Sequence, residues 1–443
     1  MQSHKKNPSQ ISFYNTFEEQ LDHSHGLYKL THAIRWNVFE EAFSKHYSKG
    51  MGRPAKSIRL MTGLLILKYL RNLSDESVVE QWAENAYFQY FCGESSFCSR
   101  KPCVDKDLVY FRNRIGEEGI ELILKESIHV NGKDSNDDHL SVDTTVQEKN
   151  ITFPTDDKQY KKIIKKCQGI ADREQIELRQ SYTRTLKKLS WRQRFRKSKN
   201  GAKQARKADR KVKTIAGRLV RELERKLSAH ALGFYSEQLN LFRKVLAQKR
   251  KDKDKTYSLH EPHVSCISKG KAHKPYEFGN KVSILTAQRT GVIVGAMSFQ
   301  GNPYDGHTLP DALNQYEKLN NKQARTVTAD RGYRGPKEIG NTAVNIADAP
   351  NKATKTPTQR KRLRRRSAIE PTIGHLKSDY RMRRNFLSGI KGDAINVMLA
   401  AAAFNFKRAM LKVLKDVRFI FIRFLAIFSS PGGSSMRFFA NAA

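Results

Sequence analysis

Three carboxylates far apart in the sequence have the surroundings that phosphate chemistry needs. Asp143 lies in SVDTTV, Asp330 follows the alternating stretch TVTA, and Glu370 lies among basic residues in RRRSAIEPTIGHLKSDYR. If they converge, they form an all-oxygen site suited to Mg²⁺ or Mn²⁺. Two such ions about 4 Å apart can activate an attacking oxygen and stabilise a leaving one. The pattern predicts phosphoryl transfer; the alternative is three unrelated structural acids.

The elements around these acids decide whether they can meet. Residues 139–147 alternate, with Leu140 and Val142 on one face and Asp143 on the other, which predicts a half-buried strand. A second strand in ARTVTAD ends at Asp330, and a helix carries Glu370. A mixed sheet with these strands as neighbours brings the two aspartates together and lets the helix place Glu370 across them.

The helix around Glu370 is predicted to present cations beside the acid. At about 100° per residue, Arg366, Glu370 and Lys377 lie within roughly 40° of one face. Ser367 and Glu370 have the spacing of a capping box, which puts Pro371 at the fourth helical position. If the helix begins later, Arg366 leaves the shared face.

Three further side chains are candidates for contacts with DNA. Arg331 and Arg334 follow Asp330 closely and could hold the scissile phosphate; the alternative is a pair of solvated loop arginines. His307, in DGHTL, could contact DNA, or it could form a hydrogen bond to a carboxylate that supports the metal site. It could equally be a loop histidine that satisfies backbone groups.

The net charge indicates a polyanionic partner. The 443 residues include 82 Lys and Arg against 44 Asp and Glu, a net charge of +38. Nucleic acid is the favoured partner, and an anionic membrane is the alternative. The five cysteines include no Cys-x-x-Cys pair, which favours a reducing cytoplasm.

A basic, proline-free segment from about residue 156 to 255 is predicted to be a helical insertion. It is interpreted as an arm that binds DNA phosphates, in which Trp191 and Phe195 supply packing within the arm or stacking on bases. The alternative is a solvated pair of helices. The predicted DNA contacts are Arg192, Arg194, Arg196 and Lys197.

The order of patterns predicts an α+β fold with a mixed sheet, flanking helices, this insertion, and an all-helical module in front. Residues 1–135 are the predicted DNA-binding or dimerisation module, with Ser74 as a helix N-cap, and a helix-turn-helix and a plain hairpin both fit. Residues 136–410 are the predicted catalytic domain. Residues 411–443 form an apolar tail, whose stretch FIFIRFLAIF is too short for a membrane span.

The motifs SVDTTV, KGKAHKPYEFGNKV, GNPYDGHTL, ADRGYRG and IEPTIGHLKSDYRMRRNFL, in this order, resemble those of bacterial insertion-sequence transposases of the DDE type, in the insertion-sequence-five-like branch. The resemblance implies an RNase H-like core, a metal-binding triad of Asp143, Asp330 and Glu370, and two Mg²⁺ or Mn²⁺ ions. Arg366, Glu370 and Lys377 match three places of the branch's Tyr-Arg-Glu-Lys signature, whereas Leu363 stands in place of the tyrosine.

The resemblance further implies a cytoplasmic homodimer on DNA that cuts terminal inverted repeats and joins them to target DNA. Two rival hypotheses remain at the level of sequence. One is a nuclease of the same fold that never joins strands. The other is a DNA-binding remnant without chemistry.

Overall fold

The computed structural model describes residues 16–48, 54–249, 251–271, 274–347 and 356–428. Residues 1–15 and the end of the apolar tail, 429–443, lie outside them. Among the described helices, none has the length and apolarity that crossing a membrane requires.

The described strands form one mixed sheet in the order β2-β3-β1-β5-β7-β6. β1 is antiparallel to β3 and parallel to β5, while β4 pairs with the second half of β3 and β8 with the end of β1. β1 and β3 approach so closely that a Cβ on Gly279 would lie 1.9 Å from the Gln147 carbonyl oxygen, so only glycine fits there. The strands are β1 His139–Lys149, β2 Ser265–Lys271, β3 Lys274–Ala287, β4 Ile293–Phe299, β5 Thr326–Ala329, β6 Glu338–Ile339, β7 Thr342–Ile346 and β8 Arg384–Asn385.

β1 is buried on both faces, so the prediction of a half-buried strand was wrong. Ser141 and Thr145, on the face predicted to be open, are only 2% and 6% exposed. The C-terminal helix covers this face: Asn396 donates a hydrogen bond to the Gln147 side chain at 2.6 Å. Alternation within one strand carries no information about a helix that arrives 250 residues later.

The N-terminal helices agree with the predicted helical module. Ser74 caps α5, since its hydroxyl accepts from the Ser77 amide at 3.0 Å. α7 is kinked at Gly116, whose φ of 62° is available to glycine without strain. These helices are α1 Phe17–Gln20, α2 Gly26–Ala33, α3 Trp36–Ser44, α4 Ile58–Leu70, α5 Asp75–Glu84, α6 Ala86–Phe91 and α7 Asp105–Val130.

The predicted insertion is helical and has a hydrophobic core of its own. Ile164, Ile215, Leu219 and Phe242 are fully buried within it. It is therefore a packed unit of helices rather than a solvated helix pair. Its helices are α8 Asp156–Arg173, α9 Thr183–Arg194, α10 Gly201–Lys226 and α11 Ala229–Ala247.

The rest of the chain supplies the other face of the sheet and the closing helices. After Asp330, the predicted short helix and strand are a 3-10 turn, Arg331–Tyr333, followed by β6 and β7. The C-terminal helix α15 includes the described part of the predicted apolar tail. These helices are α12 Asp305–Asn320, α13 Pro357–Arg366, α14 Ile369–Ser378 and α15 Gly389–Phe428.

The N-terminal helices and the sheet share a hydrophobic core. One cluster of buried side chains includes Leu64 of α4, Ile293 of β4 and Val397 of α15. Within it, the buried Tyr69 hydroxyl donates to the Asn396 side-chain oxygen at 2.8 Å. α15 thus joins the two parts, and the functional division near residue 135 stays a prediction.

Candidate active site

Two neighbouring parallel strands bring Asp143 and Asp330 to the same end of the sheet. Ser141 of β1 is paired with Thr328 of β5, and each aspartate lies two residues further along its strand. Glu370 is the second residue of α14, which packs against β1. The structure therefore brings the three predicted carboxylates together.

The guanidinium of Arg366 links all three acids. Its Nη2 lies 3.1 Å from Asp143 Oδ2 and 3.4 Å from Asp330 Oδ2, and its Nη1 lies 3.4 Å from Glu370 Oε1. Only 14% of the Arg366 side chain is exposed, against 62% of the Glu370 side chain. The three carboxylates thus hold one largely buried cation at their centre, with Glu370 on the open side.

The helix around Glu370 is broken, and the predicted capping box was wrong. α13 ends at Arg366 and α14 begins at Ile369, with Ala368 as its N-cap and no side-chain cap. Pro371 is therefore the third residue of α14, where an amide proton has no partner within the helix. Arg366 still reaches Glu370 because the Glu370 amide donates to the Ser367 carbonyl at 3.2 Å, which keeps the connection coiled.

Burial dominates the electrostatics of Asp143. It raises the pKa of this carboxyl from 3.8 to about 6; Arg366 opposes the rise, and the Asp330 carboxylate adds to it. The Thr144 amide donates to Asp143 Oδ1 at 2.8 Å, which favours the ionised form. The protein thus ionises Asp143 at neutral pH against the cost of burying a charge.

We expect Asp143→Asn to stabilise the protein at pH 8 in the presence of a chelator. Because the folded-state pKa lies above the usual value, stability is lost as pH rises from about 4 towards 7. Two pKa units correspond to about 2–3 kcal/mol, or about 2–3 °C in Tm for a chain of this length. Differential scanning calorimetry measures the Tm of the variant and the parent at pH 8 and pH 4. The Tm of the variant should be higher than that of the parent at pH 8 and equal to it at pH 4. An unchanged or lower Tm at pH 8 would show that ionised Asp143 carries no such cost.

A fourth acid, Asp305, joins the site and was not singled out from the sequence. Its Oδ1 accepts from the Thr144 hydroxyl at 2.8 Å and pairs with Lys281 Nζ at 2.7 Å. A Cβ on Gly332 would lie 2.7 Å from Asp305 Oδ2 and 3.0 Å from Asp330 Oδ1, so these two carboxylates flank Gly332. Asp305 therefore connects the start of α12 to β1 beside Asp143 and lies close to the turn after Asp330. The signal was its place in GNPYDGHTL at the start of a helix.

Tyr333 is the second residue that the sequence reasoning missed. Its side chain is 2% exposed, and burial raises its pKa well above 10, with the nearby charges of Asp143 and Asp305 adding to the shift. Tyr333 therefore remains protonated in the physiological range and packs beneath the acids as a neutral group.

The other predicted contact residues lie around this centre. Arg331 and Arg334 are exposed on the turn after Asp330, and Lys377 is half-buried on α14, two turns after Glu370. His307 is exposed near the start of α12, with its ring 5.5 Å from that of Tyr304. Their roles towards DNA stay predictions.

The predicted contacts on the insertion are exposed, and one of them is already paired. Arg192, Arg194 and Lys197 are exposed, whereas Arg196 Nη2 lies 2.8 Å from Asp209 Oδ1. Trp191 and Phe195 are 60% and 46% exposed and meet edge to face at 5.0 Å. This side of α9 combines positive charge with accessible aromatic surface.

The donor set around Arg366 fits a hard divalent cation. Its members are all carboxylate oxygens, which Mg²⁺ and Mn²⁺ prefer. Within the described residues, no three acidic, histidine or cysteine side chains are arranged to ligate one ion. Arg366 instead provides the positive charge between Asp143, Asp330 and Glu370, which shows that these acids can share a cation.

Comparison with known proteins identifies two segments. Residues 15–114 match the family described as Transposase domain (DUF772), and residues 248–406 match the Transposase DDE domain. The second match includes Asp330 and Glu370 and begins directly after α11, the last helix of the insertion, so Asp143 lies outside it. A Rhizobium meliloti protein, called uncharacterized protein ORF8 in nfe locus, is 42% identical over 173 residues, which is 38% of this chain and 83% of that protein. No solved structure matches the chain.

Proposed function

The chain belongs to the bacterial insertion-sequence transposases with a DDE domain and an RNase H-like α+β core, and from this premise we propose that it cuts DNA at the ends of its own element and joins them to a target. The observation that carries the proposal is the convergence of Asp143, Asp330 and Glu370 on Arg366. Acids from two strands and a helix converge on one largely buried guanidinium, with Glu370 on the open side. Such a group of acids is useful if it holds the metal ions that offset the charge of a reacting phosphate.

We assign Asp143, Asp330 and Glu370 as the ligands of two Mg²⁺ or Mn²⁺ ions. When bound, such ions activate an attacking oxygen and offset the charge that develops on the leaving one. Asp143 suits this role because it is buried and preformed on a strand, whereas Glu370 lies on the open side, where DNA would approach. Asp305 acts as a positioning residue beside Asp143, since it accepts the hydrogen bond of the Thr144 hydroxyl and pairs with Lys281.

The cations around the acids would bind the phosphate that reacts. Arg366 offers a planar pair of donors suited to two phosphate oxygens. Lys377, Arg331 and Arg334 supply further positive charge along the same turn and helix. Such donors stabilise the charge that grows on the phosphoryl oxygens in the transition state.

The reaction has two steps of the same kind. In the first, a water oxygen attacks the phosphorus at the element's end, and the bond from that phosphorus to the 3′ oxygen breaks. The attacking water loses a proton to solvent, and the leaving 3′ oxygen takes a proton from solvent, so the products are a 5′ phosphate and a 3′-hydroxyl. In the second, the oxygen of the freed 3′-hydroxyl loses its proton and bonds to a target phosphorus, while the bond from that phosphorus to the target's own 3′ oxygen breaks and that oxygen takes up a proton. One set of charged groups serves both steps because both pass through the same arrangement of oxygens around phosphorus.

The partners follow from charge and from the reaction. The net charge of +38 supports binding to terminal inverted repeats and target DNA in the bacterial cytoplasm. Since two element ends are cut together, we propose a homodimer on DNA.

Two other functions are alternatives to this one. A nuclease of the same fold would cleave without joining, and a transposase remnant would bind DNA without chemistry. The presence of all three acids around Arg366 argues against loss of chemistry at the site. Incubating pre-cut element ends with a target plasmid and Mg²⁺ separates these cases, because only a transposase joins them.

Lys377→Ala is expected to weaken assembly on element ends and to slow cleavage by about one to two orders of magnitude, because it removes a phosphate contact but no metal ligand. Gel-shift titration and single-turnover cleavage would measure the two effects. Lys377→Arg keeps the charge and is the matched control. It should retain most of the affinity for element ends and most of the cleavage rate. Equal behaviour of Lys377→Ala and the parent would remove Lys377 from the site.

A further inference from the structure

A second basic surface lies on the insertion, in a groove between α8 and α11. The groove encloses about 610 Å³, and none of its described lining residues is acidic. It is formed by different helices from the arginine-rich side of α9. Its lining residues are Lys162, Lys165, Lys166, Gly169, Arg173, Phe234, Tyr235 and Gln238.

The cations of the groove form one stripe along α8. Counted from Lys162, the next cations are Lys165, Lys166 and Arg173, at three, four and eleven residues. This spacing places them on the same side of the helix. Like charges at this spacing repel and weaken a helix. The pKa of Lys162 is lowered, first by burial and then by Lys158 and Lys166. A polyanion lying along the stripe would relieve this repulsion.

The opposite wall offers an exposed aromatic ring. Phe234 is 77% exposed, whereas its neighbour Tyr235 is 5% exposed and meets it edge to face at 4.9 Å. The Arg173 guanidinium lies 5.6 Å from the centre of the Tyr235 ring. Tyr235 thus anchors the wall and Phe234 projects from it, as a side chain does that stacks on a base.

The floor of the groove is kept open by Gly169. A Cβ at this position would meet no atom within 4 Å, so packing does not require glycine there. Glycine inside a helix is less favourable than alanine. A glycine at position 169 is explained if a ligand in the groove lies close to the backbone of α8.

We propose that this groove binds a single strand of DNA, with phosphates along Lys162, Lys165 and Lys166 and an unpaired base on Phe234. The proposal rests on the proposed function, in that DNA is the ligand. A basic groove beside an exposed ring is the combination that binds single strands with little sequence preference. Duplex DNA would reach the lysines, but its paired bases would not reach Phe234.

The lysine stripe is tested by fluorescence anisotropy with a labelled single strand, without metal, over a range of salt concentrations. Each phosphate contact contributes about −0.7 to the slope of log K against log salt for a single strand. Replacing Lys162, Lys165 and Lys166 together by alanine should make the slope shallower by about 2. The matched control replaces the exposed Lys249, Lys251 and Lys253 and should change it far less. Equal changes in the two triple variants would overturn the proposal.

The aromatic contact is tested by Phe234→Ala in the same assay. Single-strand affinity should fall by about fivefold to a hundredfold, while affinity for duplex of the same sequence stays at the parent value. Phe97→Ala removes another exposed ring, 54% exposed on the N-terminal module, and should change neither. Gly169→Glu, which has room for its Cβ, should weaken single-strand binding by placing an acid on the groove floor. A Phe234→Ala protein that binds single strands like the parent would contradict the stacking.

These readouts do not depend on cleavage. If the groove variants bind single strands normally and the parent still cuts and joins DNA, the groove assignment fails and the proposed function stands. If the groove variants lose single-strand binding as expected but the parent cleaves no DNA, the groove assignment stands and the proposed function fails.

Discussion

Glu370→Gln is expected to lower Mg²⁺-dependent cleavage of element-end DNA by at least about a thousandfold, because loss of a catalytic metal removes several kcal/mol of transition-state stabilisation. The substitution keeps the shape of the side chain and removes its charge. DNA affinity should stay the same or increase slightly, since a negative charge close to phosphates is lost. Gel-shift titration and single-turnover cleavage on the same preparation measure the two effects separately.

The matched control for Glu370→Gln is Asp379→Asn. Asp379 is the other acid of the same basic segment and is 50% exposed, paired with His375 at 2.8 Å. It contacts none of the three site acids in these pairings, so its variant should cleave at nearly the parent rate. If Glu370→Gln also cleaves at nearly the parent rate, the triad assignment is wrong.

Arg366→Ala is expected to lower cleavage by about a hundredfold to a thousandfold, as the loss of one preorganised donor to a reacting oxyanion does. The same change leaves Asp143 and Asp330 without their shared cation. Thermal unfolding in chelator should therefore show lower stability than the parent, and added Mg²⁺ should recover more of it in the variant than in the parent. Single-turnover cleavage and calorimetry measure these effects.

Arg366→Lys is the control for this prediction. It keeps one positive charge but lacks the planar fork that reaches Asp143, Asp330 and Glu370 at once. Its cleavage rate should lie between those of the parent and Arg366→Ala. A parent-like rate in Arg366→Ala would place Arg366 outside the chemistry and leave it as a structural counter-charge.

Local patterns were enough to predict the elements that carry the site. Alternation in SVDTTV placed Asp143 within a strand, and the strand that was predicted to end at Asp330 ends one residue earlier, at Ala329. Ser74 was recognised as an N-cap because capping depends on residues within one turn. The insertion was predicted as helical because its lack of proline and its charged residues are likewise local properties.

The features that were missed depend on contacts between distant segments. Both faces of β1 are buried because α15 packs across one of them, and no pattern within β1 encodes that contact. The break before Ile369 follows from the backbone turn at Ser367, where a capping-box spacing suggested a different start. Asp305 became visible only once α12 placed it beside Thr144 and Gly332.

The most direct test of the central claim is a joining assay with pre-cut element ends, a supercoiled target plasmid and Mg²⁺. The parent protein should covalently link the 3′ end of the element to the plasmid, and Glu370→Gln should give no linked product while binding the ends normally. Cleavage of intact ends by the parent without any linked product would contradict the assignment as a transposase and leave a nuclease in its place.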